Sequence, residues 1–207
     1  MKNAQWLGHD ATDRRSRVLQ AAQVVFARKG FHAAEVKDIA EAAGVSKATI
    51  YKIFRSKEEI LGTIISENFA ELRAILLAQM LGPGEPTQRF RRMLYAAAAY
   101  LDGNKPFCQV LLRDGGEFMT SIRDHYGTLV RENTPMAEAF FGHLRQRGDI
   151  PDLATPDLLK LLTNAGIGIL YGWVLTDSGR LVDEVDFYLD VFDRKLRIWR
   201  LPAVPTA

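Results

Sequence analysis

Cysteine is nearly absent: Cys108 is the only one in 207 residues, so no internal disulfide can form. Histidine is scarce too. His9, His32, His125 and His143 show no metal-ligand spacing with carboxylates. No glycine-rich phosphate loop and no nucleophile elbow appears. No segment alternates apolar and polar residues for long enough to argue a strand. No apolar run reads as long enough to span a bilayer, and residues 1–10 lack the apolar core of a signal peptide. These absences speak against metal-dependent or nucleophilic catalysis and against a membrane protein. The expectation is a cytoplasmic protein that is not an enzyme, with no catalytic residues, no metal, no cofactor and no membrane contact.

What is present is ordinary globular material with an uneven charge. Hydrophobic residues make up 47% and charged residues 25%, enough to build a core and cover it. The formal charge of +2 hides an asymmetry. Residues 1–60 hold eleven Lys/Arg against seven Asp/Glu, whereas the remainder holds sixteen against eighteen. A basic first quarter on a slightly acidic body suggests that the first quarter meets a polyanion.

Helical spacing runs through the chain. Thr12 or Asp13 can cap a first helix, in which Val18, Leu19, Ala22, Val25 and Phe26 recur on one face before Gly30 stops it. Residues 1–11 and 201–207 read as frayed tails. Two short helices follow, 36–43 and 46–54, then a long one capped by Ser56. Its stripe is Leu61, Ile65, Phe69, Leu72 and Leu76. Gly82, Pro83, Gly84 and Pro86 make the clearest break. Beyond it the pattern predicts helices over 87–101, from Pro106 to the Gly115–Gly116 pair, over 117–147 with a kink or break at Pro135, from a Thr155 cap to 177, and over 183–200. The fold class is all-α, with about nine helices.

The segment from Val36 to Phe54 carries the chemistry. Two helices of two turns flank Gly44, Val45 and Ser46. Gly44 can adopt the positive φ that ends a helix in a tight turn, and Val45 can plug the angle between the helices. Ile39, Ala40, Ala43, Ile50 and Phe54 are apolar where they would face the first helix. This is the pattern of a helix-turn-helix. In that docking mode the start of the second helix enters the major groove of DNA. Ser46 caps it and offers a hydroxyl to phosphate. Lys47, Ala48 and Thr49 would face base edges, and Tyr51 and Lys52 would reach phosphates. Lys57, at the next helix N-terminus, would add a phosphate contact.

These residues resemble the TetR family of regulators. The resemblance runs from Ala11 to Leu61 and rests on Phe26-Ala-Arg-Lys-Gly-Phe31, Ile39-Ala-Glu-Ala-Ala-Gly-Val-Ser46, Thr49-Ile-Tyr-Lys-Ile-Phe54 and Ser56-Lys-Glu-Glu-Ile-Leu61. Glu35 departs from the pattern, standing where the family commonly carries Thr or Ser. The resemblance implies a three-helix DNA-binding domain over 1–60 and a larger helical domain over 61–207 that binds an effector and dimerises. In the family the last two helices form a four-helix interface between two copies. Here Gly166, Gly168 and Gly172 in the penultimate helix suggest a close approach, and Val185, Leu189, Phe192 and Leu196 form a stripe on the last.

The body is also rich in aromatics. An apolar cavity is expected among the helices that contain Phe107, Phe118, Tyr126, Asn133, Phe140, Asn164 and Trp173. The reading is therefore a homodimeric, sequence-specific DNA-binding regulator on a near-palindromic duplex, a repressor released by a small hydrophobic ligand. The alternative is a helix-turn-helix protein that binds DNA without an effector.

Overall fold

In the computed structural model every regular element among the described residues is a helix. The structure describes residues 4–114, 134–150, 152–177 and 179–190. In chain order the helices are α1 (Ala4–Lys29), α2 (Val36–Ala43), α3 (Lys47–Ile53), α4 (Lys57–Leu81), α5 (Pro86–Gly103) and α6 (Lys105–Asp114). Then come α7 (134–146 of the described chain), α8 (Thr155–Thr176) and α9 (Leu181–Asp190). α1 begins well before the expected cap at Thr12 or Asp13. No proline interrupts 4–12, and extending a helix that has already nucleated costs little.

Packing divides the chain into two units. The first holds residues up to Phe69 together with α6 from Pro106 on; the second holds Ala70–Lys105 with α7, α8 and α9. This differs from a division by sequence order at residue 60, because α6 returns to the N-terminal helices. The core of the first unit is built from the expected faces. Val18, Leu19, Ala22, Val25 and Phe26 of α1 are buried, as are Ile39, Ala40 and Ala43 of α2, and Ile50 and Phe54 at α3. Ile60, Leu61, Ile64 and Ile65 of α4 join them, with Phe107, Cys108 and Val110 of α6. Phe69 meets Phe107 edge-on at 6.0 Å.

The second unit packs Met80, Phe90, Met93, Phe140, Phe141, Leu144, Leu158 and Leu189 around three mutually touching phenylalanines, 90, 140 and 141. Pro86 opens α5 at a position where a missing N–H costs nothing. Asp102, at the other end of α5, accepts from the amides of Leu181 at 2.6 Å and Val182 at 3.2 Å, satisfying the first turn of α9. Thr155 is not the cap expected of it. It is buried inside α8, and its hydroxyl meets Arg145 Nη1 at 2.9 Å.

The expectation that no stretch is apolar enough to cross a bilayer is corrected by α8. Its 22 residues include an 18-residue window of mean hydropathy 1.5, enough by length and composition alone. Little of that window is buried within the protomer. Ile167, Tyr171 and Leu175 stand exposed, with Asn164 and Gly168 beside them. Asn164, Gly168, Tyr171 and Leu175 follow one another at steps of four, three and four. They therefore form one stripe along the helix.

Candidate nucleic-acid interface

The reading head is set by local hydrogen bonds. Gly44 takes φ +65° and ψ 35°, ending α2 in the left-handed region. The amide of Val45 donates back to the Ala40 carbonyl at 3.0 Å and that of Gly44 to Glu41 at 3.2 Å. A side chain at 44 would meet nothing within 4 Å, so the glycine is needed for its dihedral angles and not for space. Ser46 then caps α3: its Oγ accepts the Thr49 amide at 3.1 Å and lies 2.9 Å from Thr49 Oγ1.

The consequence is a two-sided helix. Ile50 and Phe54 point into the core, while Lys47, Ala48, Tyr51 and Lys52 are exposed and Thr49 is half-buried. Tyr51 leaves 55% of itself in solvent. α2 is fixed from outside its own sequence. Asp38 accepts the Glu35 amide at 3.0 Å and pairs with Lys29 of α1 at 2.8 Å. That bond to Lys29, with the bond from the Glu35 amide second, holds the Asp38 carboxyl below its ordinary range. Asp38 thus supplies the negative charge that suits a helix N-terminus, and Glu35 pairs with Lys37 at 3.0 Å.

An open groove beside α3 brings His32, Lys47, Tyr51, Arg55 and Lys57 around one concavity of about 470 Å³, with Glu35 and Glu58 on its wall. Lys47, Tyr51 and Lys57 are among the site residues that the sequence pattern singles out. His32 and Arg55 were not; the available signal was a cation one residue past the second helix and an imidazole in the loop before the first.

Lys57 is placed differently from its expected role. Its Nζ donates to the carbonyls of Phe31 at 2.7 Å, Ala34 at 3.0 Å and His32 at 3.3 Å. It also lies 4.4 Å from the centre of the Phe31 ring. An ammonium has three donors, and all three point at the loop between α1 and α2. Lys57 therefore fastens the loop while also lining the groove beside α3.

The residues expected around an effector cavity are not gathered at one place. Phe107 is buried in the first unit, while Phe140 is part of the core of the second. Trp173 is buried, with its Nε1 donating to the Gly179 carbonyl at 3.2 Å and Lys105 Nζ 4.7 Å from its ring centre. Asn164 is exposed on α8. Phe118, Tyr126 and Asn133 lie outside the described residues, as do Phe192 and Leu196 and the segment before Pro135. The second unit instead contains a cavity of about 250 Å³ between α5, α8 and α9, lined by Leu94, Leu101, Leu162, Gly166, Ile169 and Val185 among other apolar residues. Among the described residues no group of His, Cys, Asp and Glu could hold a metal ion.

Residues 18–64 match the family model described as bacterial regulatory proteins, tetR family. The chain is 31% identical over 100 residues to the uncharacterized HTH-type transcriptional regulator YdgC of Bacillus subtilis, covering 46% of this chain and 51% of that one. The chain thus spans about half the length of that curated relative. The likeness to solved structures runs further. The TetR family transcriptional regulator PfmR of Thermus thermophilus superposes with a TM-score of 0.67 at 26% identity, covering 87% of this chain and 98% of that one. The regulator FadR of Bacillus subtilis, solved with stearoyl-CoA, gives a TM-score of 0.70 at 20% identity, covering 85% and 96%. The N-terminal domain thus matches the TetR family model over residues 18–64, and the helical fold is similar to that of solved TetR-family regulators.

Proposed function

We propose that the protein is a homodimeric, sequence-specific DNA-binding repressor. One observation carries the reading: Gly44 and Ser46 lock α3 so that Lys47, Ala48, Tyr51 and Lys52 face solvent together, beside an open groove with Arg55 and His32. Lys47, Ala48 and Thr49 read base edges in the major groove; Ser46, Tyr51, Lys52 and Arg55 contact phosphates. The apolar stripe on α8 supports dimerisation, since an uncovered face of that kind calls for a partner. A two-fold dimer reads a near-palindromic duplex, with its two α3 helices about 34 Å apart.

The cavity between α5, α8 and α9 is the effector site in this reading. Its apolar lining suits a small hydrophobic molecule with no charged group inside it. FadR of Bacillus subtilis, a fold neighbour, was solved with an acyl-CoA. Release follows if the effector binds more tightly to a conformation whose reading helices are wrongly spaced. The test is selection of duplexes from a random pool by the purified protein. A near-palindromic consensus bound by one dimer is the expected result; retention of no sequence above background overturns it.

A further inference from the structure

Where α1 ends before Gly30, a pair of residues from α6 takes over one of its hydrogen bonds. Had α1 continued, the Phe31 amide would have donated to the Ala27 carbonyl four residues back. Instead the Phe31 amide donates to Asp114 Oδ2 at 3.2 Å, and the Ala27 carbonyl accepts from Arg113 Nη1 at 3.0 Å. Two consecutive residues of α6 thus substitute for both halves of the missing bond. Arg113 Nη2 also donates to the Phe26 carbonyl, so the guanidinium fork spans two carbonyls at the negative end of α1. The Asp114 side chain is only 9% exposed. Gly30, at φ +86°, makes the turn, and a Cβ there would stand 3.8 Å from the guanidinium.

The bend so formed leads straight into the reading head. The Phe31 carbonyl is held by Lys57 of α4 and its ring meets that of Phe26 at 5.4 Å. Four residues later Glu35 starts α2. The peptide groups on either side of Phe31 are therefore gripped by two helices, α6 at the amide and α4 at the carbonyl. Both grips act on the strand of chain that aims α2 and α3.

We propose that Arg113 and Asp114 are positioning residues for DNA reading, although they lie far beyond the helix-turn-helix in sequence and touch no nucleic acid. The inference rests on the DNA-binding function proposed above. A positioning role lowers affinity without altering the count of phosphate contacts, so the salt dependence keeps its slope.

The experiment compares wild type, the Arg113→Ala/Asp114→Ala double variant and Asp114→Asn on a duplex selected by the wild type from a random pool. Amide exchange is read in parallel by NMR. The double variant should bind about tenfold more weakly at an unchanged salt slope. Its Phe31 amide should exchange about tenfold faster while that of Ile50, inside the reading head, is unaltered. Asp114→Asn keeps an acceptor for the Phe31 amide and should retain most of the affinity. If the double variant does not fold, Arg113→Lys carries the test through a smaller shift in the same direction, since Lys cannot span both carbonyls. Wild-type affinity in the double variant, or in Arg113→Lys where the double variant does not fold, overturns the proposal, whether or not exchange at Phe31 changes. A wild type that selects no duplex overturns the functional reading itself, and the positioning role with it.

Discussion

Lys57 and Phe31 are joined through both backbone and ring: Nζ donates to the Phe31 carbonyl at 2.7 Å and sits 4.4 Å from the ring centre. Hydrogen bonds from a charged donor contribute about 1.5–3 kcal/mol each when not fully exposed. Lys57→Ala, which removes two such part-buried bonds, should therefore lower stability by about 3 kcal/mol or more, read by urea unfolding. On a selected duplex it should weaken binding while leaving the salt slope unchanged. Lys52→Ala, which removes an exposed cation on α3 in each copy of the proposed dimer, should flatten the slope by about 1.8. A flattened slope for Lys57→Ala would return that residue to the phosphate.

Thr49 is half-buried, and its hydroxyl is within bonding distance of Ser46 Oγ. Thr49→Val keeps the shape and removes the hydroxyl. Base preference should shift at one position in each half-site by about 1–3 kcal/mol, with no change in salt slope. Competition assays against single-base variants of the duplex measure it. Equal discrimination by both proteins would place Thr49 off the bases.

Gly44 isolates a dihedral cost, because nothing stands within 4 Å of an added Cβ. Gly44→Ala should destabilise the protein by about 1–2 kcal/mol, the cost of a left-handed conformation for a residue with a side chain. Gly44→Asn should recover part of that loss, since Asn tolerates this region better. Denaturant midpoints decide it; an unaltered midpoint for Gly44→Ala would show that the turn can re-form another way.

Asp38 predicts a dependence on pH. Its folded pKa is depressed by Lys29 first and the Glu35 amide second, below an ordinary value of 3.8. The stabilisation is then fully present above the unfolded value and is lost as pH falls through the folded one. Wild type should melt above Asp38→Asn at neutral pH, and the gap should narrow once pH drops below 3.8. A gap that stays constant through acid would mean that the charge on Asp38 contributes nothing to α2.

The α8 stripe predicts the assembly. Tyr171 and Leu175 are exposed, Leu175 at 66%, and neither has a role inside the protomer's core. Tyr171→Asp with Leu175→Asp should turn a dimer into a folded monomer by light scattering, with helical circular dichroism retained. Binding to a selected palindromic duplex should fall by more than a hundredfold, because each half-site is then held singly. A dimer that survives both changes places the interface elsewhere.

The sequence alone determined the features made by neighbours along the chain. Gly44 and Ser46 act through partners no more than five residues away, so their residue types and spacing suffice to locate the turn and the exposed face of α3. The apolar face of α1 followed from its period for the same reason. The tertiary structure decided what distant partners make. Lys57 looks like a free cation at a helix start until the Phe31, His32 and Ala34 carbonyls fold under it, 23 to 26 residues away. Arg113 and Asp114 read as the polar end of a helix, yet their bonds cross 83 to 87 residues to α1. The cavity is likewise lined from three helices, and no residue type on any one of them marks it. A periodic pattern tells which face of a helix is buried; which helix it meets, and which polar groups are taken up at that meeting, is settled only when the chain closes on itself.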